Sequence, residues 1–465
     1  MRHPLWISIL VFAGCHSDVS LGGPNTLVRV EHEPIGPDCP TGGVSILTGL
    51  DHDGDTYLDD DEVASTQLVC NGSTTVECAG GNVLTGTITV RADSDWAQLD
   101  GINCINGELL IAGIQTASIP DHPDLQIITG DLVIAANPNL TSLAGLGHVR
   151  ELGGNYLVQG NDALVDLAAI SALKRADAIQ LIGNDALPDL AGLAALVDID
   201  ASLVISNNAG LTTLAGLDHL RTTTRTLTVR ANHALTSLDA LANLRQAGLI
   251  EVSGNEALTA VTLSALQKID IRLLITTNAK LAEVSLPMLS TIGDFARFDG
   301  DPVLARVDMP ALLTVGSLFA TNSNSLASIS APGLAFATSA IQLSNLPKLT
   351  SVELSGLTSI GDTLILSNLP NLPSLAGFAR LRSVGGAFSL LSAGSLVDFT
   401  GLGALESVSG TMTVMSNGQL RSFAGLSKMA EVGGDLTITS NALLPKATSQ
   451  AFAKQITVRG ALTIN

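Results

Sequence analysis

Residues 51–62 carry the most concentrated candidate chemistry in the chain. They read DHDGDTYLDDDE, with carboxylates at positions 1, 3, 5, 9 and 12 of the segment. Carboxylate oxygens at this spacing suit a hard divalent cation, because Ca²⁺ prefers a shell made only of oxygen ligands. The sequence therefore predicts one bound calcium ion, with the ligands Asp51, Asp53, Asp55, Tyr57 through its carbonyl, Asp59 and Glu62.

This spacing is that of the EF-hand calcium loop, in which position 12 supplies a bidentate carboxylate. Thr56 stands at position 6, where the loop usually has glycine, and residues 41–50 are rich in glycine and β-branched residues instead of forming a helical flank. A solvated acidic turn is the alternative, since acidic runs are common in a chain of net charge −20. We favour calcium binding.

The amino terminus predicts export. A short basic start precedes an apolar run over residues 5–13, which is too short to span a bilayer, and Cys15 follows Ala13 and Gly14 directly. The junction resembles a bacterial lipobox, whose cysteine is lipidated and becomes the first residue of the mature chain, although Phe12 stands where leucine is usual. An ordinary signal peptide with an unrelated cysteine is the alternative. The lipobox implies a protein of the outer membrane or cell surface, attached to the membrane only through a lipid on Cys15.

Four cysteines remain once Cys15 is assigned to lipid: Cys39, Cys70, Cys78 and Cys104. In an exported chain they suggest two disulfides. Their order favours Cys39–Cys70 and Cys78–Cys104, although four cysteines allow three pairings. No cysteine follows Cys104, so we expect the rest of the chain to be held together by packing.

Residues 37–73 resemble a small Cys-bracketed, Asp-rich module of secreted bacterial proteins. The motifs that carry the likeness are Gly49-Leu50-Asp51, Leu58-Asp59-Asp60-Asp61-Glu62-Val63 and Val69-Cys70-Asn71-Gly72. The resemblance implies a calcium-binding stalk and no further biochemical role.

The elements that position these groups follow from a long repeat. Leucines recur at intervals of 22 to 24 residues, at positions 140, 164, 187, 211, 235, 258, 281, 304, 326, 349, 372, 396, 420 and 444. A period of this length indicates a solenoid, in which each coil buries its apolar side against its neighbours. Short apolar segments such as Leu132-Val133-Ile134 predict one strand per coil with two inward side chains. The fold class is therefore mainly β, a right-handed parallel β-solenoid of 23–24-residue repeats behind a small disulfide-stapled module.

Asparagine usually precedes the repeat leucine by three residues, for example Asn137 and Asn208. We assign this row to the scaffold, because an inward amide can satisfy the buried backbone groups of a turn. In later repeats the slot is occupied by Asp301, Ser323, Leu346, Leu369 and Ala393. Asn345 and Asn368 stand one residue earlier, which predicts a shifted turn. Pairs such as Gly385-Gly386 suit a corner that requires a positive φ or close packing.

The strand, Asn turn and leucines resemble the receptor L-domain repeat, a leucine-rich-like β-helical unit of receptor ectodomains that also occurs in bacterial surface proteins. Residues 99–111, LDGINCINGELLI, resemble the opening segment of that family. The organisation that follows is a lipoprotein signal peptide over 1–15, a linker over 16–36, the calcium-loop module over 37–73 and an L-domain-like solenoid over 78–465. The resemblance implies the fold and leaves the ligand open.

Composition and motifs favour binding over catalysis. Aromatic residues make up 3% of the chain and charged residues 14%, and the net charge is −20 with no basic tract, which argues against nucleic acid as a partner. No His-Glu-x-x-His, nucleophile elbow or phosphate loop is present. We therefore expect a protein that is not an enzyme, presenting an extended sheet to a protein or glycan partner at the cell surface. A passive envelope protein and a β-helical polysaccharide-degrading enzyme are the alternatives.

Alternation along the strands places one set of side chains on the outer side of the sheet, where solenoids commonly bind partners. Charge is concentrated at the middle repeats, and Phe319 is the only aromatic residue among the outward positions that we assign. The candidate binding residues are Arg230, Glu251, Arg297, Asp299 and Phe319. Ordinary solvated strand residues are the alternative.

Overall fold

A computed structural model describes residues 26–33, 43–50, 63–70, 76–78 and 80–465. The predicted lipidation site Cys15, the predicted calcium ligands in residues 51–62 and the predicted disulfide partner Cys39 lie outside the described residues. The chain divides into two compact units, Met1–Leu235 and Thr236–Asn465. Within the residues that the structure describes, no helix has the length and apolar character needed to cross a bilayer.

A three-stranded antiparallel sheet lies at the start of the first unit. Its strands are Thr26–Glu33, Gly43–Leu50 and Val63–Cys70, with the middle strand paired to both others. A register shift interrupts the second pairing between Thr48 and Gly49. Leu47 is buried and Val63 packs against it, so this sheet has a small apolar contact of its own.

The rest of the first unit is a parallel β-solenoid with turns of about 23 residues, as the leucine period predicts. Each coil contributes a longer strand and a shorter one. The longer strands form what we call the long-strand face: Ile88–Val90, Leu109–Ala112, Leu132–Ala135, Tyr156–Gln159, Ile179–Ile182, Ser202–Ser206 and the second half of Thr222–Arg230. The shorter strands are Val83–Thr85, Cys104–Asn106, Ile127–Ile128, Glu151–Leu152, Arg175–Ala176, Asp198–Ile199 and the first half of Thr222–Arg230. The 3₁₀ helices Asp93–Leu99, Ala144–Leu146, Ala168–Ile170 and Ala191–Leu193 follow long strands.

The second unit has the same construction. Its long-strand face is formed by Gln246–Ser253, Arg272–Thr276, Thr291–Asp299, Thr314–Thr321, Ile341–Ser344, Leu364–Ser367, Phe388–Leu391, Met412–Met415, Leu436–Thr439 and Leu462–Ile464. The shorter strands Lys268–Ile269, Phe336–Ala337, Ser359–Ile360, Ser383–Val384, Ser407–Val408, Glu431–Val432 and Thr457–Val458 form a second side. A third side carries the strands Ala260–Thr262, Glu283–Ser285, Arg306–Asp308, Ser328–Ser330 and Ser351–Glu353. The 3₁₀ helices Asp239–Leu241 and Ala376–Phe378 and the α-helix Lys446–Gln455 complete the unit.

The core confirms the leucine register. Thirteen of the fourteen period-marking leucines expose 1% or less of their surface, and the last, Leu444, exposes 9%. On the long strands, the predicted inward residues Leu132 and Ile134 are fully buried. Each coil thus buries its apolar side against adjacent coils, which is the physical basis of a solenoid.

The inward asparagines belong to the scaffold, as predicted. In the first unit the Asn208 amide nitrogen donates to the Leu181 carbonyl at 2.9 Å and to the Asn232 carboxamide oxygen at 3.1 Å. The Asn208 backbone N–H also donates to that Asn232 oxygen at 3.1 Å. Both side chains are fully buried. The row therefore satisfies buried backbone groups of successive turns and is closed to solvent.

The shifted turn predicted at Asn345 and Asn368 is wrong. Both residues have a positive φ, 57° and 53°, as do Ala136 and Asn207 at the same place after earlier long strands. The turn therefore keeps its position, and only the inward slot changes, because Leu346 and Leu369 fill it as fully buried apolar residues. Asparagine suits the exposed turn position since it tolerates the left-handed region better than most residues.

The glycine pairs at the corners serve close packing and not a positive φ. A Cβ on Gly385 would lie 2.1 Å from the Gly361 carbonyl oxygen, and one on Gly433 would lie 2.2 Å from that of Ser409. Neither glycine has a positive φ. A side chain would therefore push neighbouring coils apart at this corner.

One of the two predicted disulfides is confirmed. Cys78 and Cys104 are bonded, with their Cα atoms 5.8 Å apart. Cys104 begins the strand Cys104–Asn106, so the bond joins the residues just before the first solenoid strand, Val83–Thr85, to an early coil. The pairing of Cys39 with Cys70 stays a prediction, because Cys39 lies outside the described residues.

Candidate functional site

The outer side of the long-strand face is not open in the early coils. The outward residues Val133, Ala135 and Leu157 expose only 1–2% of their surface, and they pack with Leu110 and Ala112 in an apolar cluster. Alternation along a strand predicts correctly which side a residue faces, but it does not predict whether that side is covered. These coils therefore do not offer the exposed recognition surface that outward positions suggested.

In the second unit the outer side of the long-strand face is more exposed, and around the strands Thr291–Asp299 and Thr314–Thr321 it carries both polar and aromatic residues. Arg297 and Phe319 are direct neighbours on the paired strands Thr291–Asp299 and Thr314–Thr321. Asp299 lies opposite Thr321 in the same pairing. Three of the five residues singled out in the sequence, Arg297, Asp299 and Phe319, are therefore together on adjacent coils.

The other two residues lie elsewhere. Arg230 is exposed at the end of a strand of the first unit, Thr222–Arg230. Glu251 is in the second unit, where its carboxylate accepts a hydrogen bond from the Ser253 hydroxyl at 2.8 Å. The pairing Glu251–Leu274–Arg297 puts it two strands away from Arg297, on the order of 10 Å at the usual strand spacing.

Two arginines and two phenylalanines form what we call the Arg–Phe cluster: Arg272, Phe295, Arg297 and Phe319. The guanidinium carbon of Arg297 lies 5.5 Å from the ring centroid of Phe295 and 5.3 Å from that of Phe319. The two rings meet edge to face with their centroids 5.8 Å apart. Arg272 is on the preceding coil, and its guanidinium carbon lies 5.0 Å from the ring centroid of Phe295. Such contacts each contribute roughly 0.5–1 kcal/mol at exposed sites, so the cluster holds Arg297 in a defined position.

Sequence reasoning missed Phe295 and Arg272, and Phe319 is not the only outward aromatic residue. The sequence pattern assigned two outward residues to each strand. The strand Thr291–Asp299 is nine residues long, however, and Phe295 is a third outward residue on it. Phe295 could have been found from the sequence, because every second residue of a strand faces the same side and Phe295 stands two residues before Arg297 and four before Asp299.

The cation at the centre of the cluster makes no ion pair within the described part of the chain. Arg272, by contrast, is paired with Asp294, with 2.8 Å between Nε and Oδ2. The carboxylate of Asp299 accepts hydrogen bonds from the Thr321 hydroxyl and, at 2.8 Å, from the Asn322 amide. The Arg297 guanidinium is therefore the free cationic donor of the cluster.

An exposed row of amides continues from Asp299 along the turn positions. Asn345 donates to the Asn322 carboxamide oxygen at 2.9 Å, and Asn368 donates to that of Asn345 at 3.1 Å. We call Asn322, Asn345 and Asn368 the outer amide row. In these coils Leu346 and Leu369 occupy the inward slots and interrupt the inward asparagine row. The outer amide row lies on the surface beside this interruption.

A shallow cavity of about 280 Å³ joins the cluster to this row. Its lining residues are Arg297, Asp299, Phe319, Thr321, Asn322, Gln342, Ser344 and Asn345. Gln342 and Ser344 lie on the next strand and share a hydrogen bond of 3.2 Å. The lining combines one aromatic ring, one guanidinium, one carboxylate and several neutral hydrogen-bonding groups. This combination suits reversible binding of a polar ligand.

A second cavity of similar volume lies at the corner of the same unit. It is lined by Lys268 and Asp270, which pair with each other, and by strand ends that include Gly293 and Gly316. It contains none of the residues predicted from the sequence.

The predicted calcium ligands cannot be placed, because residues 51–62 lie outside the described residues. Across the part of the chain that is described, no group of three or more His, Cys, Asp or Glu side chains is arranged to hold a metal ion.

Residues 25–70 match the model of a family described as a domain of unknown function, DUF7151. The match overlaps the Cys-bracketed segment 37–73 and covers a small part of the chain. It assigns no activity and does not place the solenoid in a family. A comparison with curated proteins finds no match.

Proposed function

We propose that this protein is a non-catalytic recognition protein of the cell surface that binds its partner on the long-strand face of the second unit. The observation that carries the proposal is the Arg–Phe cluster beside a polar cavity. A guanidinium that contacts both Phe295 and Phe319 and makes no ion pair in the described part of the chain can donate hydrogen bonds without first breaking an ion pair.

The type of surface supports binding over catalysis. The cavity is shallow and lies on an open sheet, and its carboxylate, Asp299, is already engaged by Thr321 and Asn322. A glycoside hydrolase needs two carboxyl groups flanking one bond, whereas Glu251 and Asp299 are two strands apart and two residues out of register. This arrangement favours a ligand that is held and released unchanged.

Location is part of the proposal. The junction at Cys15 supports a lipid anchor, and the acidic segment 51–62 supports a calcium-binding stalk between the anchor and the solenoid. The likeness to receptor L-domain repeats supports a role in recognition at the surface. A lipid-anchored solenoid would present its long-strand face to glycans or proteins of the envelope or the surroundings.

The test is a binding screen of the full-length protein against glycans and envelope extracts, with and without calcium. Phe319→Ala and Arg297→Ala are expected to weaken the strongest saturable interaction at least tenfold. Matched controls are Phe336→Ala, at a residue that is 49% exposed on a shorter strand, and Arg306→Ala, which pairs with Glu283 on the third side. The controls should bind as the wild type does.

Equal affinities in all four variants would contradict binding at this face. A protein that is abundant at the surface and has no saturable partner would instead be a passive envelope component. Turnover of a glycan that is lost in Glu251→Gln or Asp299→Asn would show an enzyme.

A further inference from the structure

We infer that the ligand of the Arg–Phe cluster is an oligosaccharide with a carboxylate, a uronate-type glycan that lies across the strands of the second unit. The inference rests on the proposed function, since it names the chemical class that this binding face would recognise. It is based on three parts of the cavity lining, which are the Arg297 guanidinium, the Phe319 ring and a row of neutral amides.

The cationic fork selects an anion with planar geometry. Arg297 is exposed, makes no ion pair in the described part of the chain, and has its guanidinium carbon over the rings of Phe295 and Phe319. These ring contacts do not involve a carboxylate, so the N–H groups of the guanidinium remain available as donors. Those N–H groups form a fork that matches a carboxylate with two parallel hydrogen bonds.

The neighbouring carboxylate, Asp299, makes no ion pair with the Arg297 guanidinium in the described part of the chain. Asp299 is two residues from Arg297 on the same strand, and it is held instead by Thr321 and Asn322 on the adjacent coil. Arg272 is the second cation nearby, but Asp294 already engages it at 2.8 Å. One carboxylate of a ligand therefore finds one free partner, which favours a glycan with spaced acidic groups over a dense polyanion.

The remaining groups match a sugar better than a peptide. The Phe319 ring is partly exposed and can pack against the C–H face of a pyranose, while Gln342 and Asn345 can hydrogen-bond to hydroxyl groups in either direction, because an amide both donates and accepts. Phe319 is the one apolar residue in the lining of this cavity, so the lining offers little to a large hydrophobic side chain. These features favour a polyhydroxylated ligand.

The spacing of the coils supports an extended chain. Adjacent strands of a sheet lie about 4.8 Å apart, a distance comparable to the length of one sugar residue in an extended polysaccharide. From Arg297 to Phe319 to Gln342 each step advances one strand. A glycan that crosses the strands would therefore meet the guanidinium, the ring and the amides in succession.

Net charge sets the expected salt dependence. The chain carries −20, so long-range electrostatics repel polyanions and cannot hold one to the surface non-specifically. Binding through one oriented carboxylate should change little between 0.05 and 0.3 M salt, because the long-range repulsion and the local attraction are both screened.

The experiment uses the full-length protein and short oligomers of galacturonate, glucuronate and mannuronate. Each oligomer is paired with its carboxyl-reduced counterpart, in which the carboxylate has become a primary alcohol, and binding is measured by calorimetry. We expect saturable binding of at least one oligouronate and at least tenfold weaker binding of its reduced form. Arg297→Gln should lose the same factor for the acidic oligomer and bind the reduced oligomer as the wild type does.

Two further variants make the result specific. Arg297→Lys keeps the charge and loses the planar fork, so it should also bind the oligouronate more weakly than the wild type, while the control Arg306→Gln should not. Arg297 is exposed, so circular dichroism of its variants should match that of the wild type.

Several outcomes would overturn the inference. Equal binding of an oligouronate and its reduced form, an unchanged affinity in Arg297→Gln, or the absence of saturable binding to every oligouronate would each do so. A neutral glycan or a protein that binds and is lost in Phe319→Ala would leave the proposed function standing and reject only the ligand class. If the wild-type protein bound no partner saturably, both the ligand class and the proposed function would be rejected.

Discussion

Replacing Asp301 by asparagine should stabilise the protein, and increasingly so as the pH rises. Asp301 occupies the inward slot that Asn278 fills one coil earlier, and its side chain is fully buried. Its Oδ1 accepts hydrogen bonds from the Asn278 backbone N–H at 2.7 Å and from the Asn278 amide at 3.2 Å, whereas Oδ2 has no partner. At Asn278 the amide nitrogen donates to the Val252 and Thr276 carbonyls at 3.0 and 3.1 Å. By analogy, asparagine at 301 would put an amide donor in the position of the unpartnered Oδ2 and would remove a buried negative charge.

The magnitude follows from the pKa. Burial raises the pKa of Asp301 to about 7 from an ordinary value of 3.8, although the hydrogen bonds from Asn278 act in the opposite direction. Between about pH 4 and pH 7 the folded state therefore keeps a proton that the unfolded chain has lost, and stability falls as the pH rises, by about 1.4 kcal/mol per pH unit. The carboxyl group destabilises the fold by roughly 4 kcal/mol at pH 8, and its effect grows by about 3 kcal/mol from pH 5 to pH 8.

The assay is guanidinium denaturation of wild type and Asp301→Asn at pH 5 and pH 8, followed by circular dichroism. The two proteins share every other titratable group, so the difference between them isolates Asp301. Asn208→Asp is the matched control, because it introduces a carboxylate in a fully buried inward slot that does not touch Asp301, and it should also lose stability as the pH rises. A variant whose advantage is the same at both pH values, or which is less stable than the wild type at pH 8, would refute this reasoning.

The remaining predictions concern the core, the anchor and the metal. Leu211→Ala should lower the free energy of unfolding by roughly 2–5 kcal/mol, because Leu211 is fully buried. The control Val165→Ala, at a residue that is 50% exposed, should lower it by less than about 0.5 kcal/mol. Equal losses in the two variants would reject the leucine register. Cys15→Ser should release the protein from the membrane fraction, whereas retention in high salt, together with no uptake of labelled fatty acid by the wild type, would count against lipidation. Calorimetry should detect one calcium ion with a Kd on the order of 10⁻⁴–10⁻³ M, and Glu62→Ala should weaken it; no saturable heat at millimolar calcium would leave only an acidic turn.

The fold could be predicted because its determinants are local and repeated. A leucine every 22 to 24 residues specifies the length of a coil, and three apolar residues such as Leu132-Val133-Ile134 specify a strand. Since each coil packs only on its neighbours, no distant contact had to be guessed. The structural role of Asn208 followed from the same logic, because every buried turn has backbone groups to satisfy.

The site could be predicted only in part, because strand alternation does not show whether the outer side of a strand is buried by other residues, or where the strand begins and ends. Arg297 and Phe319 were found from their outward positions, yet Phe295 was missed because its strand extends further toward the amino terminus. Leu157 is outward and nevertheless buried, through contacts that periodicity does not encode. At Asn345, the amide moved from the inward slot to the exposed turn while the turn itself stayed in place, and only the backbone angles show this.

Chemical labelling of arginine can test whether the partner is recognised at the Arg–Phe cluster. The full-length protein is treated with phenylglyoxal in the absence and presence of its strongest saturable ligand, and each modified arginine is quantified by mass spectrometry. We expect the ligand to protect Arg297, while exposed arginines away from the cluster, such as Arg306 and Arg421, are labelled equally in both conditions. Unchanged labelling of Arg297 at a saturating ligand concentration would contradict it.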